Sequence, residues 1–372
     1  MTSQLRNKPL MMVGSVPGET AEEIFRLIGP KLGPLLVGVG DGEPGYRNKW
    51  VVFCAPQVFE PTPGVEPVNK PKPRPDKSVF KDLPDWVPTS WDEMWRFRVR
   101  DGVEEVRFGD LPYGGFVRES WPLFRRLREE GVIPRDTRFQ VSLPFPEDYT
   151  RWCTGTARDF RIMTRAAEDA LARTVDTILA TVPHEDLSLQ WDVCWEVFAV
   201  ECNDSLGREP LAFKCEGDPL ERFAGYIERL SPRIPAQVQL GMHLCYGDLE
   251  HSHLIEPKDL GNCVRMANAA VARAGRRFDY IQMPVPRDRA DDAYFAPLKN
   301  LRIGDTKLYI GLVHHTDGVE GTLKRLSAFK RHYKGDYGVA TECGWGRRKA
   351  ETIPALMQIH RDVAATIAKQ GP

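Results

Sequence analysis

Val238-Gln-Leu-Gly-Met-His-Leu-Cys-Tyr-Gly247 is an apolar, strand-like run that ends in a histidine and a cysteine two positions apart. Residues i and i+2 of a strand share a face, so His243 and Cys245 can serve one point in space. Runs of the same kind recur at 10–13, 35–39, 139–143, 187–192, 280–283, 308–313 and 338–341. Among them, at 20–28, 157–180, 219–230, 259–274, 319–333 and 353–368, lie stretches with apolar residues three and four apart, the periodicity of amphipathic helices. This alternation predicts a (β/α)8 TIM barrel, with a doubly wound open sheet as the alternative. The barrel is preferred because the chemically suggestive side chains all fall at the C-terminal ends of the runs, the face where barrels build their sites.

A single barrel domain over 1–372 is expected, with its spare length as an insertion at 60–135, between the second and third strands. That insertion opens on Glu60-Pro-Thr-Pro-Gly-Val-Glu-Pro-Val-Asn-Lys-Pro-Lys-Pro-Arg-Pro75, whose prolines favour an extended surface segment. Asp101-Gly102, between two alternating stretches, predicts a β-hairpin there, folded over the barrel mouth. Trp86, Trp91, Trp95, Phe116 and Trp121 suit a lid, a homodimer contact or a small satellite core.

Composition narrows the function classes. Lys+Arg 51 against Asp+Glu 52 leaves a net charge of −1, which argues against nucleic acid or an anionic membrane as partner. No run approaches the ~20 apolar residues of a bilayer span, so a soluble, cytoplasmic protein acting on a small molecule is expected. The eight cysteines are dispersed through a long chain rather than framed as a disulfide scaffold, and reduced thiols available to a metal fit them better.

The strand-like runs end, in order, in Val13-Gly-Ser-Val-Pro17, Gly40-Asp-Gly-Glu43 with Arg47 beyond, Trp191-Asp192, His243-Leu-Cys245, Gln282, His314-His315 and Thr341-Glu-Cys343-Gly-Trp-Gly-Arg347. One imidazole and two thiols, on His243, Cys245 and Cys343, are the donor set of a catalytic zinc ion with its fourth position open. The plainer reading of the same residues is burial in the core, where free cysteine is common.

Taken together, these strand ends resemble the catalytic barrel of cobalamin-independent methionine synthase, in the superfamily that also holds uroporphyrinogen decarboxylase. In that family the first strand ends in Gly-Ser-Phe-Pro, the second in His-Gly-Glu with an arginine after it, and the fourth in Ile-Asp-Glu-Pro. The fifth carries His-x-Cys, the sixth Ile-Glu and the eighth Asp-Cys-Gly. The resemblance implies zinc on His243, Cys245 and Cys343, and Glu43 and Asp192 around the amino group of a homocysteine-like substrate. It places Gly14 and Ser15 at the substrate carboxylate, and Arg47 and Gln282 complete the expected substrate-binding set.

Departures from the family pattern shape the expectation further. Ile281-Gln282 stands where the family has a glutamate zinc ligand, so Gln282→Glu is expected to add a charge and tighten the metal. Asp192-Val193-Cys194 replaces Asp-Glu-Pro, which removes an acidic group linked to folate. His314 or His315 is the candidate general acid, with Asp192 beside them as a catalytic carboxylate. Arg347-Arg348 suit a substrate carboxylate or phosphate or a solvated loop, and Trp191, Trp195 and Trp345 suit an aromatic pocket. His251 and His253 suit a metal or a solvated loop. The function implied is zinc-dependent methyl or alkyl transfer involving a thiol. A metal-independent lyase or decarboxylase and a non-catalytic binding barrel are the alternatives.

Overall fold

Strands form where the alternation predicts them. Among the residues that the computed structural model describes (5, 7–74, 84–202, 213, 215–248 and 252–370), the chain runs through β1 (Gly38–Gly40), β2 (Val65–Asn69), β3 (Arg96–Val99), β4 (Arg138–Pro144), β5 (Leu187–Val193), β6 (Gln239–Leu244), β7 (Tyr280–Pro284), β8 (Lys307–Val313) and β9 (Tyr337–Thr341). Seven of these make one parallel sheet in the order β1-β4-β5-β6-β7-β8-β9. Leu10 joins its two edges, bridging Leu36 just ahead of β1 and Val339 of β9. Met11 N–H donates to Val339 O at 3.1 Å and Val37 N–H to Leu10 O at 3.2 Å. The 10–13 run is therefore the eighth stave of a closed (β/α)8 barrel, and the open sheet is excluded because neither edge is left unpaired.

Helices follow the staves: α1 (Ala21–Leu32), α2 (Tyr113–Glu129), α3 (Ala157–Thr181), α4 (Trp195–Glu201), α5 (Pro219–Leu230), α6 (Gly261–Arg273), α7 (Gly318–His332) and α8 (Ile353–Gln370). Thr20, Thr156 and Asp218 each accept from a backbone N–H three residues on, which fixes where α1, α3 and α5 begin. None of the helices among the described residues is long and apolar enough to cross a membrane. β5, β6 and β8 are buried along their whole length, helix-facing side on one face and barrel interior on the other.

The interior differs in chemistry from the strand–helix layer. Met11, Val13, Val37, Tyr280, Tyr309 and Ala340 form a small apolar cluster of their own. Around it run polar side chains in series: Tyr280 Oη donates to Gln190 Oε1 at 3.1 Å, and Gln190 Nε2 donates to Asp192 Oδ1 at 2.7 Å. The two tyrosines fill the barrel because glycines face them. A Cβ on Gly241 would lie 1.9 Å from the Tyr280 ring, and one on Gly338 2.3 Å from the Tyr309 ring. Gly241→Ala is thus expected to destabilise by about 1–3 kcal/mol through overpacking, read as a lower urea midpoint with unchanged m-value. Because Tyr280 sets the position of Asp192 through Gln190, substrate affinity should fall in the same variant. Wild-type stability would show that the interior has slack.

Residues 60–135 depart from expectation in two ways. Asp101-Gly102 makes a tight turn, but residues 103–108 do not return as a strand. Both edges of β3 are already taken: β2 pairs antiparallel with it on one side, and Phe97 N–H donates to Cys153 O at 2.8 Å on the other. β2 comes from the proline-rich stretch itself, and its ladder shifts register between Pro67 and Asn69, as the missing N–H of proline requires. The second difference is α2, which Gly114-Gly115 and the internal Pro122 hide from a periodicity reading. Trp95 stacks on Phe97 at 5.6 Å, Phe97 meets Phe59, and Phe116 meets Phe53, so these aromatics pack inward. Trp121 lies on Phe124 and Phe139, and Trp86 on Tyr46. The side chain of Trp91 lies outside what the structure describes.

Candidate metal and substrate site at the barrel mouth

Strand register brings the three expected donors together. Asp192 pairs with His243 across β5 and β6, and His243 with Gln282 across β6 and β7. Donor atoms of His243, Cys245 and Cys343 all lie within 4.8 Å of one another, and Cys245 Sγ is 3.5 Å from Cys343 Sγ. Gly247 N–H donates to Cys245 Sγ at 3.3 Å, a contact that favours a thiolate. Each thiol is held above its ordinary pKa: Cys245 chiefly by Cys194, and Cys343 chiefly by Cys245, with burial adding to both. Two crowded thiols resist sharing negative charge until a cation joins them.

Gln282 decides the state of the imidazole. Its Nε2 donates to Thr341 O at 3.1 Å and Glu342 O at 3.3 Å, which leaves Oε1 as acceptor for His243 Nδ1 at 2.5 Å. A proton on Nδ1 makes Nε2 the free lone pair, and that Nε2 is buried without a hydrogen-bond partner. An orphaned imidazole nitrogen beside two thiols fits a zinc ion. This placement corrects the expectation for Gln282, which neither lines the cavity nor stands as a ligand but orients His243 from behind. The sign of the expected mutational effect reverses with it. Gln282→Glu would set a carboxylate oxygen against two carbonyl oxygens, so we expect about 1–3 kcal/mol of destabilisation and no gain in zinc affinity. Thermal unfolding and chelator competition check this, and a tighter metal at unchanged stability would show that residue 282 reaches the ion.

The Cys343 turn is locked by close backbone packing. Trp345 N–H donates to Ser15 O at 2.8 Å and Gly346 N–H to Ser15 Oγ at 3.2 Å. A Cβ on Gly344 would lie 2.2 Å from Ser15 Oγ, so glycine there lets the first and last staves meet. Thr341 Oγ1 donates to Cys343 O and accepts from the Trp345 indole.

One cavity collects these groups: Val13, Ser15, Glu43, Asn48, Trp50, Asp192, Cys194, His243, Cys245, Asp248, Cys343 and Arg347 line it. Its acidic side is Asp192, pushed by burial up to about 8, and Glu43, also up to about 8. For Glu43, burial outweighs the attraction of Arg47, and the carboxylates of Asp192 and Asp41 add to it. Facing them is Arg347, whose Nη1 donates to Asp248 O at 2.6 Å. Glu43 and Trp50 are the non-glycine residues with positive φ among the described residues, at 56° and 59°, and both line this cavity. Backbone strain of that kind concentrates at functional sites.

Other expected site residues are placed elsewhere. Arg47 is held bidentately by Asp41, at 2.8 and 3.2 Å, and lies over the Phe116 ring, so it supports the Glu43 loop instead of facing the main cavity. Gly14 flanks Ser142 in a small adjoining recess with Glu43 and Arg47. His314 holds Val285 O through Nε2 at 2.8 Å, its basicity lowered by burial, and neither it nor His315 lines the cavity. His253 is engaged by the carboxylates of Glu256 and Glu342, at 3.0 and 3.1 Å. His251 lies outside the described residues. Trp191 and Trp345 pack in the core against Phe145 and His360, and Trp195 meets Phe198. Trp50 is the aromatic wall instead; only its unusual backbone, not its sequence, marks it. Asn48, Cys194 and Asp248 also line the cavity without a role expected from the sequence, and cross-strand register reveals Cys194.

A larger cavity of about 520 Å³ lies outside the barrel between α3 and α5. Two arginines at its walls are paired with carboxylates, Arg229 with Glu168 and Arg222 with Glu147.

No protein-family model matches the chain, and no curated protein matches it by sequence. Among solved structures, a B12-independent methionine synthase from Shewanella sp. W3-18-1, described in complex with selenomethionine, superposes with a TM-score of 0.56 at 15% identity, covering 98% of each chain. The chain has the fold of that enzyme. A methyltransferase from Methanosarcina mazei gives a TM-score of 0.40 at 11% identity over 67% of this chain and 64% of the other.

Proposed function

We propose that the chain is a divergent member of the methionine synthase family, a zinc-dependent transferase that binds a small thiol of amino-acid type and takes part in moving a methyl or other alkyl group. One observation carries the reading: the buried, unpartnered Nε2 of His243 meets two thiols in the same cavity as a pair of carboxyls and an arginine. The shared fold, and a neighbour described with selenomethionine, support it.

His243, Cys245 and Cys343 would hold zinc, which when bound lowers the pKa of a coordinated substrate thiol and presents it as a nucleophile. The protein's own residues do the rest. Gln282 keeps the imidazole in the tautomer that offers Nε2. Glu43 and Asp192 take the substrate ammonium, giving up protons as they do so, while Arg347 faces the carboxylate. Trp50 closes the apolar side.

A metal-independent lyase is the second reading, favoured by two carboxyls held near 8, where each can donate or accept a proton at neutral pH. Calorimetry on zinc-loaded protein separates the two. Homocysteine is expected to bind about a hundredfold more tightly than homoserine, which lacks only the sulfur donor. Equal affinity for both would remove the thiol from the reading.

A further inference from the structure

Three protein donors leave a zinc ion one position short, and the neighbours of the site differ in their freedom to fill it. Gln282 has both ends of its amide engaged, by His243 and by two carbonyls. Asp192 gives one oxygen to Gln190 and belongs to the acidic wall of the cavity. Cys194 is different. β5 and β6 run in register from Ser188 and Gln239 to Val193 and Leu244, and Cys245 N–H then donates to Val193 O at 2.9 Å. The next residue of each chain segment is therefore a cysteine facing a cysteine. Cys194 lines the same cavity as the three donors and is 4% exposed.

Its backbone is fixed by hydrogen bonds that do not use the sulfur. Asp148 accepts from the N–H groups of Cys194 at 3.2 Å and Trp195 at 2.7 Å, which pins the start of α4. Cys194 is not among the three residues whose donor atoms lie within 4.8 Å of one another, so its sulfur would join them by a turn of χ1 between staggered rotamers. A second observation points the same way: His243 Nε2, on a side chain 2% exposed, has no partner and needs an ion that Cys194 can help complete.

We infer that Cys194 is the fourth protein ligand of the metal held by His243, Cys245 and Cys343, and that an incoming substrate thiol displaces it. This inference rests on the metal reading proposed above. Coordination takes the proton from the Cys194 thiol. When the substrate thiol enters, its proton passes to Cys194, which leaves as a neutral thiol, so thiolate number and charge at the ion stay constant. A permanently four-coordinate protein site would be closed to chemistry, whereas the carboxyls and arginine of the same cavity are arranged for a ligand that reaches it.

Cobalt(II) substitution tests this without an activity assay, because sulfur-to-cobalt charge-transfer absorbance grows with the number of coordinated thiolates. Cys194→Ala is expected to lose about one third of the wild-type intensity, as three thiolates become two. Added homocysteine should then leave wild-type intensity unchanged and restore the variant to it. Cys194→Ser keeps the side-chain volume and carries the same expectation if the alanine variant folds poorly by circular dichroism. Equal intensity in wild type and variant, or a gain in wild type on adding homocysteine, would overturn the role of Cys194 while leaving the three-donor site standing. Failure of wild-type protein to take up cobalt would overturn both.

Discussion

Cys343→Ser is expected to lower zinc affinity by more than about a hundredfold, with the barrel still folded. Cys343 belongs to a turn beyond β9, and its neighbours Thr341, Gly344 and Trp345 are held by Ser15 and by one another through bonds that do not use the sulfur. Removing the thiol therefore takes a donor from the ion without opening a core cavity. The same change at Cys245 is less clean, because that thiol is buried and accepts from Gly247 N–H. Competition with a chromogenic chelator measures the affinity, and thermal unfolding of the metal-free variant checks the fold. Unchanged affinity would take Cys343 out of the site.

Asp192→Asn and Glu43→Gln are expected to lower the affinity for an ammonium-bearing substrate tenfold to a hundredfold each, corresponding to about 1.5–3 kcal/mol for a hydrogen bond to a charged group. The loss should depend on pH in a defined direction. Burial holds both carboxyls near 8, so at neutral pH the free protein carries them largely protonated. An ammonium group binds the ionised form, so wild-type affinity should rise between about pH 6 and 8, by up to tenfold per unit for each proton released. The variants should flatten that rise. Calorimetry in buffers of different ionisation enthalpy counts the protons, and an affinity independent of pH in wild type would contradict the assignment.

Stability carries the opposite sign. A carboxyl whose folded pKa is raised supports the fold fully below its unfolded pKa, near 4, and that support is lost as pH rises through about 8. Asp192→Asn has no charge to desolvate, so it should unfold at a higher temperature than wild type at pH 9 and show little difference at pH 5. A residue kept for packing alone would not produce this pH-dependent divergence.

Much of this arrangement is legible in the chain because a strand has a period of two. The spacing of His243 and Cys245 puts them on one face, and the position of Cys343 just past the last stave puts it at the same end of the barrel. Periodicity names the face but not the neighbour across it. Gln282 is inward-facing in either account. Only its register opposite His243 and the carbonyls of Thr341 and Glu342 make it an orienting group instead of a ligand. Cys194 is hidden for the same reason, since its closeness to Cys245 is a cross-strand fact. The hairpin at Asp101-Gly102 fails differently: the turn chemistry is correct, but β2 competes for the edge that the returning strand would need. Trp191 and Trp345 read as pocket aromatics by sequence proximity, whereas their side chains are fully buried.

The central claim is that His243, Cys245 and Cys343 form a metal site, and elemental analysis of protein purified without chelator tests it most directly. About one zinc ion per chain is expected, falling to near zero in the Cys343→Ser variant. A metal-free wild-type protein that still binds homocysteine in its folded state would contradict the account.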